Sequence, residues 1–236
     1  MANQGLNFYL LFSPVNSAIY AKSGEMLVPI HEEMTRTALG SRVSPRALEV
    51  IIAANRKQDA LHGQLGHDEY HFDNNAIDAG HRYITEQRGL VLAALLAPGV
   101  LSAWIAFGRL THTAQDFYAH TNYVSMWLDQ HPGTPPAPPE IDPVQKSLIE
   151  SPDIRSGKIY LPLDALYFVP FLRKIALAFL PNDSHGKMNL DSSKQGPHFA
   201  YARAAAIKRT EYEFDILEKI LTPEMFTKFT DLQPEN

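Results

Sequence analysis

The sequence predicts an all-α chain, a single domain over residues 1–236, and three observations carry that reading. Apolar residues recur at helical spacing along most of the chain, while convincing alternating strands and internal repeats are absent. The length, with 45% hydrophobic and 20% charged residues, suits one sizeable core.

The elements follow in order. The opening MANQGLNFYLLFSPVNSAIYAKSG has no Lys or Arg before Lys22 and only a short apolar run, so no signal peptide is read in it. HEEMTRTALGSR begins a first helix. SPRALEVIIAANRKQDALHG is a second, with Ser44 as its cap and Pro45 at its first position. NNAIDAGHRYITEQRGLVLAALLA is a third, and Val100 to about Gln130 a long fourth. Leu90 to Gly108 is uncharged and long enough to cross a bilayer, but Pro98-Gly99 divides it. Two buried helices meeting at a turn, and no transmembrane span, is the expectation. Residues 131–143 hold six prolines and form a stiff surface loop. DALYFVPFLRKIALAFL is read as helical around Pro170, and PHFAYARAAAIKRTEYEFDILEKIL as an Ala-rich last helix.

Composition limits the chemistry. A net charge of −5 argues against a surface that coats nucleic acid, so no stable nucleic-acid complex is expected. Without cysteine there is neither a disulfide framework nor a thiolate site, which leaves any metal to His, Asp and Glu and suits the cytoplasm.

That argument meets THTAQDFYAHTNY, where His112, Asp116 and His120 stand four residues apart. Ten histidines and thirteen aspartates in 236 residues give roughly 0.02 chance occurrences of this spacing, so the ladder reads as a site. Side chains four apart share a helical face about 6 Å apart along the axis. His112 and His120 are then too far apart for one ion, and Asp116 between them suits two metals about 3.5–4 Å apart, bridged by its carboxylate. Gly108, one turn earlier, is expected to leave open space beside His112. Other segments must complete the shells: NRKQDALHGQLGHDEYHFDNN offers Asp59, His62, His67, Asp68, His71 and Asp73, NDSHGKMNLDSS offers His185 and Asp191, and PIHEEMTRTAL offers His31.

These segments resemble the zinc-dependent phospholipase C and single-strand nuclease superfamily, and within it the heterokaryon-incompatibility protein C (HET-C) type. HEEMTRTAL is similar to its early His and following helix, NRKQDA and HFDN to its Asp and His pair, and HTAQDFYAHTNY to its central helix. SHGKMNLDSS with HFAYARAAAIKRT is similar to its late His segment and Ala-rich helix. The resemblance implies an all-α multi-helix bundle whose first zinc is held by Asp59, His71, His112 and Asp116. His120, His185 and Asp191 would hold a second, and His31 belongs to a third. The secreted members give that third metal an N-terminal amine. Thirty residues precede His31 here, so a two-metal centre is the expectation.

The implied activity is phospholipase C-like hydrolysis of a small-molecule or lipid phosphate ester by metal-activated water, with Asp59 or Asp191 orienting the water and Asp116 essential. An O-rich His/Asp shell also accepts manganese or iron. Four rivals stay open: a His-Asp phosphohydrolase built on His31, His67-Asp68 and Asp116; a single-strand nuclease; a biosynthetic enzyme on the same scaffold; and a non-catalytic interaction protein stabilised by metal. The other histidines take bland roles, His62, His67 and His81 at helix surfaces or caps and His131 in solvent, while His198 at the head of the last helix either bonds a metal ligand from outside or simply lies at the surface. Asp73 is read as a cap or a brace for His71. Tyr70, Phe72, Phe117, Tyr118 and Tyr123 either pack the core or form a cation-binding pocket such as choline recognition needs.

Overall fold

A computed structural model describes residues 27–64, 66–167, 169 and 171–232. The reading of the N-terminal stretch, and Pro170 itself, lie outside these residues. The chain is helical, and among the described residues there is no strand, only isolated bridges between Thr121 and Ser156 and between Lys158 and Ser184.

Helix α1 (Leu27–Leu39) is followed by α2 (Pro45–Lys57), whose start is the one expected: Ser44 Oγ accepts from Ala47 N, with Pro45 in the first turn. That hydroxyl also donates to Asp231, tying α2 to the far end of the chain. Two short helices, α3 (Leu61–Gln64) and α4 (Asp68–His71), lead through a 3₁₀ turn (Asp73–Asn75) into α5 (Ile77–Leu95). Then comes α6 (Leu101–His120), so Pro98-Gly99 does separate two helices, and no helix among the described residues is long and apolar enough to cross a membrane.

Helix α6 is the axis of the molecule. Fifteen of its twenty residues are buried, because α2, α5 and α12 pack around it. A helix apolar on nearly every side belongs inside. The core includes Trp104, Phe107, Leu110, Phe117 and Tyr118 from α6, with Ile51, Ile52, Val91, Phe214 and Phe229 from its neighbours. Gly108 corrects the expected open space. A Cβ there would stand 2.3 Å from Ile51 O and 2.8 Å from Ala54 Cβ, so the missing side chain lets α2 lie directly against α6.

The long fourth helix is also corrected: it stops at His120. Thr121 turns extended (φ −106°, ψ 168°), and α7 (Tyr123–Asp129) restarts beyond it. The last carbonyls of a helix need other donors. Here Thr121 Oγ1 donates to Phe117 O, Leu190 N to Ala119 O and Gly157 N to His120 O. The break therefore recruits two distant segments to the end of the ladder.

The proline loop is pinned rather than loose. Tyr118 and Tyr201 donate to Pro143 O and Pro136 O, and Lys208 Nζ to Ile141 O. After α8 (Lys146–Ile149), helices α9 (Leu163–Tyr167) and α10 (Arg173–Phe179) form a small outlying hairpin around Tyr167, Ala176 and Leu180. Then α11 (His185–Met188) and α12 (His198–Ile220) follow. A last helix, α13 (Pro223–Thr230), was not anticipated; Thr222 caps it by accepting from Met225 N.

Candidate metal centre

The eight residues expected to bind metal meet at one end of α6, in two adjoining groups. His112 and Asp116 are 0% and 1% exposed, and α1, the turn after α2, and α4 bring His31, Asp59 and His71 to them. Asp116 Oδ2 lies 2.9 Å from His71 Nδ1 and 3.0 Å from His112 Nε2, and these nitrogens are 3.2 Å apart. Its other oxygen, Oδ1, is 3.1 Å from His31 Nε2, and Asp59 Oδ1 is 3.7 Å from His112 Nε2. In the second group Asp73 Oδ1 is 2.7 Å from His185 Nδ1 and 3.6 Å from His120 Nδ1, while Asp191 Oδ1 is 3.1 Å from His120 Nε2.

Two expectations change. Asp116 does not bridge His112 and His120; its contacts are His31, His71 and His112. His31 therefore joins the first group, its ring 4.5 Å from that of His112. Asp73, read as a brace for His71, contacts His185 instead and belongs to the second group. The side chains point this way because Phe72 adopts a left-handed φ of 59°, which turns the chain sharply between His71 and Asp73.

The outward nitrogens fix the tautomers. His31 Nδ1 faces Gln115 Oε1 at 2.7 Å and His112 Nδ1 faces Asn55 Oδ1 at 3.4 Å. His71 Nε2 faces Gly63 O, and His120 Nδ1 faces His71 O at 2.8 Å. Amide and peptide oxygens only accept, so each of these four nitrogens carries the proton and donates it. The amides are themselves oriented: Gln115 Nε2 donates to Thr35 and Thr210, and Asn55 Nδ2 to Thr111 and Gln115 Oε1. Gln115 and Asn55 escaped the sequence reading. Their only signal was an amide one place before Asp116 and another four before Asp59.

With those protons facing outward, the inward nitrogens present lone pairs to carboxylate oxygens about 3 Å away. Lone pair facing lone pair is repulsive unless a proton or a metal ion stands between. In keeping with this, Asp116 Oδ1 and Asp59 Oδ2 are buried without a hydrogen-bond partner among the described residues. Donors around tetrahedral zinc are roughly 3.3 Å apart, close to the triangle made by His71, His112 and Asp116. The donor set fits zinc.

Without metal the same geometry captures protons. Burial pulls His31 down, but the Asp116 carboxylate overrides it and holds the imidazole up at about 9. Burial also opposes charge on His120, and Asp191 and Asp116 raise it well above its ordinary value regardless. His112, deepest of the set, is lowered by burial despite Asp116 and Asp59. Asp116 is held well below the carboxylate range: burial would raise it, but His112, His120 and His31 outweigh burial.

The remaining residues are accounted for. Asp68 accepts from Asn74 Nδ2 and His67 pairs with Glu69, so the adjacent pair needed by a His-Asp phosphohydrolase faces away from Asp116. Phe72, Phe117, Tyr118 and Tyr123 are fully buried core, and Tyr70 stacks on His67, so these five do not form a cation pocket. His62 is exposed, as expected. Three others are half-buried: His198 opens α12, His81 packs against Phe72 and Phe117 rather than standing at the surface, and His131 lies on Trp127 rather than in solvent. A narrow cleft reaches the centre, with His31, Gln115 and Asp191 beside apolar Ile30, Met34, Leu190 and Phe199.

The fold and site thus define an all-helical chain with a buried His/Asp cluster of metal-binding composition. A family model described as the VWA7 N-terminal domain matches residues 29–132, a stretch that holds His31 through His120 but not His185 or Asp191. No curated protein and no solved structure matches the chain.

Proposed function

We propose that this chain is a metal-dependent hydrolase of phosphate esters, phospholipase C-like, with zinc as the preferred metal. The observation that supports it most is the set of four histidines whose outward protons are committed to oxygens while their inward nitrogens face carboxylates. Such outer-shell bonds accompany metal-ligating histidines. The first group (His31, Asp59, His71, His112, Asp116) and the second (Asp73, His120, His185, Asp191) would each hold metal, which supplies Lewis-acid polarisation of a phosphoryl oxygen and an activated water.

The chain's own residues divide the work. Asp116 faces three imidazoles and would offset part of the positive charge that a metal brings among them. Asp191 lines the cleft and is held below its ordinary pKa: burial would raise it, but His120 outweighs burial. An ionised carboxylate of low basicity orients water better than it takes a proton from it. Asp73 holds the His185 ring, and the apolar cleft wall excludes bulk water.

Elemental analysis after zinc supplementation tests the reading, with about two metals per chain expected and less than one ending it. The activity screen compares choline-phosphate esters, phosphomonoesters and single-stranded DNA. Choline-phosphate esters are expected to be cleaved faster than single-stranded DNA; the opposite ranking moves the assignment to the nuclease branch. A second reading, a metal-stabilised interaction domain, draws on the near-complete burial of His112 and Asp116. Loaded protein with no turnover on any ester would favour it.

A further inference from the structure

The hairpin of α9 and α10 carries an apolar surface that the core does not use. Ile175 and Phe179, one turn apart on one face of α10, are 56% and 71% exposed, and Phe171, in the turn that leads into the helix, is 81% exposed. Leu161, 75% exposed, and Leu166 add to the apolar surface of the same hairpin. The opposite side of α10 is spent on the small local core, where Ala176 and Leu180 are buried. A stripe of large exposed apolar side chains is unusual on a soluble surface.

Charge identifies what covers it. Residues 158–195 carry five basic and three acidic side chains in a chain whose net charge is −5. Of the acids, Asp164 and Asp191 point inward and Asp183 is paired with Lys158. Arg173 and Lys174 flank the stripe itself, with Lys187 and Lys194 on the following segments. The hairpin thus lies in a net-basic, apolar stretch of a chain whose net charge is negative. An aromatic stripe bordered by Lys and Arg is what an anionic lipid surface attracts and admits at headgroup depth.

We propose that the α9–α10 hairpin docks the protein on anionic lipid bilayers, with Phe171, Ile175 and Phe179 entering the interface and Lys174 meeting the headgroups. The hairpin is wired to the metal centre. Arg173 donates to Tyr167 Oη, which also accepts from Asn189 Nδ2 and Gln195 Nε2. Asp164 accepts from Gly186 N, beside His185. Docking would therefore place the centre near a lipid phosphate ester, a role that rests on the hydrolase reading; the docking does not.

Co-sedimentation of the full chain with phosphatidylcholine vesicles, with and without phosphatidylserine, tests it. The parent is expected to partition onto phosphatidylserine-containing vesicles and far less onto neutral ones. The double variant Phe171→Ser/Phe179→Ser should lose about tenfold or more in partition, and Lys174→Glu several-fold, with unchanged helicity and metal content. No partition of the parent, or equal partition of the double variant, overturns the proposal. So does a dimer in sedimentation that the same double variant dissolves, which would seat a second copy on the stripe. Protection of these side chains from radical labelling in the lipid-free monomer would assign the surface to the chain's own cover and overturn it as well. Binding is read without substrate, so a failed hydrolase assay leaves it standing and a failed binding assay leaves the hydrolase reading standing.

Discussion

Asp116 is the residue on which most of the centre depends. Its two oxygens serve three histidines from three different helices, and no neighbouring carboxylate has that reach. Asp116→Asn keeps the shape, removes the charge and offers a donor where only acceptors face. Loss of at least one metal and of nearly all activity is expected, with helicity by circular dichroism largely retained; a variant that binds metal like the parent and turns over would reduce the cluster to a buried polar network. Asp73→Asn makes a companion test for the second group. Because Asp73 holds His185, the variant should bind its second metal about 10–100-fold more weakly while keeping the first. Protons give a further check. In metal-free protein His31 stays charged until about pH 9, well above its ordinary 6.5, so its contribution to stability is full below pH 6.5 and fades as pH rises through 9. Metal must displace that proton. Loading at pH 7.5 should release at least one proton per chain, measurable by calorimetry in buffers of different ionisation enthalpy.

At the scale of elements, Gly108 sets the gap between α2, which carries Asn55, and α6, which carries His112. Alanine is the better helix former by about 1 kcal/mol, but its Cβ would press into the Ile51 carbonyl. The clash should win: Gly108→Ala is expected to cost about 2 kcal/mol, several degrees in Tm, and to weaken metal binding through Asn55. The sequence showed the helices whose signals are local, such as Ser44-Pro45 before α2 and Pro98-Gly99 between α5 and α6. It did not show the stop at His120, because that end is made by Gly157 and Leu190, residues far along the chain. The ligands divide in the same way. The ladder announced itself by spacing, whereas the partners of Asp116 and Asp73 are set by tertiary approach and by one left-handed residue. Thr222-Pro223 before α13 is a local signal of the same kind as Ser44-Pro45.

For the whole molecule, the centre joins parts of the chain that share little else. His31 comes from α1, His71 from α4, His112 from α6 and His185 from α11, and a bound ion would act only on the folded arrangement. Metal in thousandfold excess over its Kd adds about 4 kcal/mol, so chelation should lower Tm by roughly 10 °C, reversibly on zinc addition. A Tm indifferent to chelator would mean that the cluster holds no ion tightly.

The turn at Phe72 has one more consequence. His71 faces the first group and Asp73 the second, with a single residue between them. Phe72 is held at φ 59° with its ring over Gly80, and Asn74 and Asn75 are stitched by backbone and side chain to Ser156, Gly157 and Ile159. The interval between the two groups is therefore written into covalent bond lengths, like the gap between teeth cut from one bar. Exchanging a side chain leaves the gauge intact. Inserting one residue at this point would reset it, and would throw the two halves of the centre out of step while each kept its own ligands.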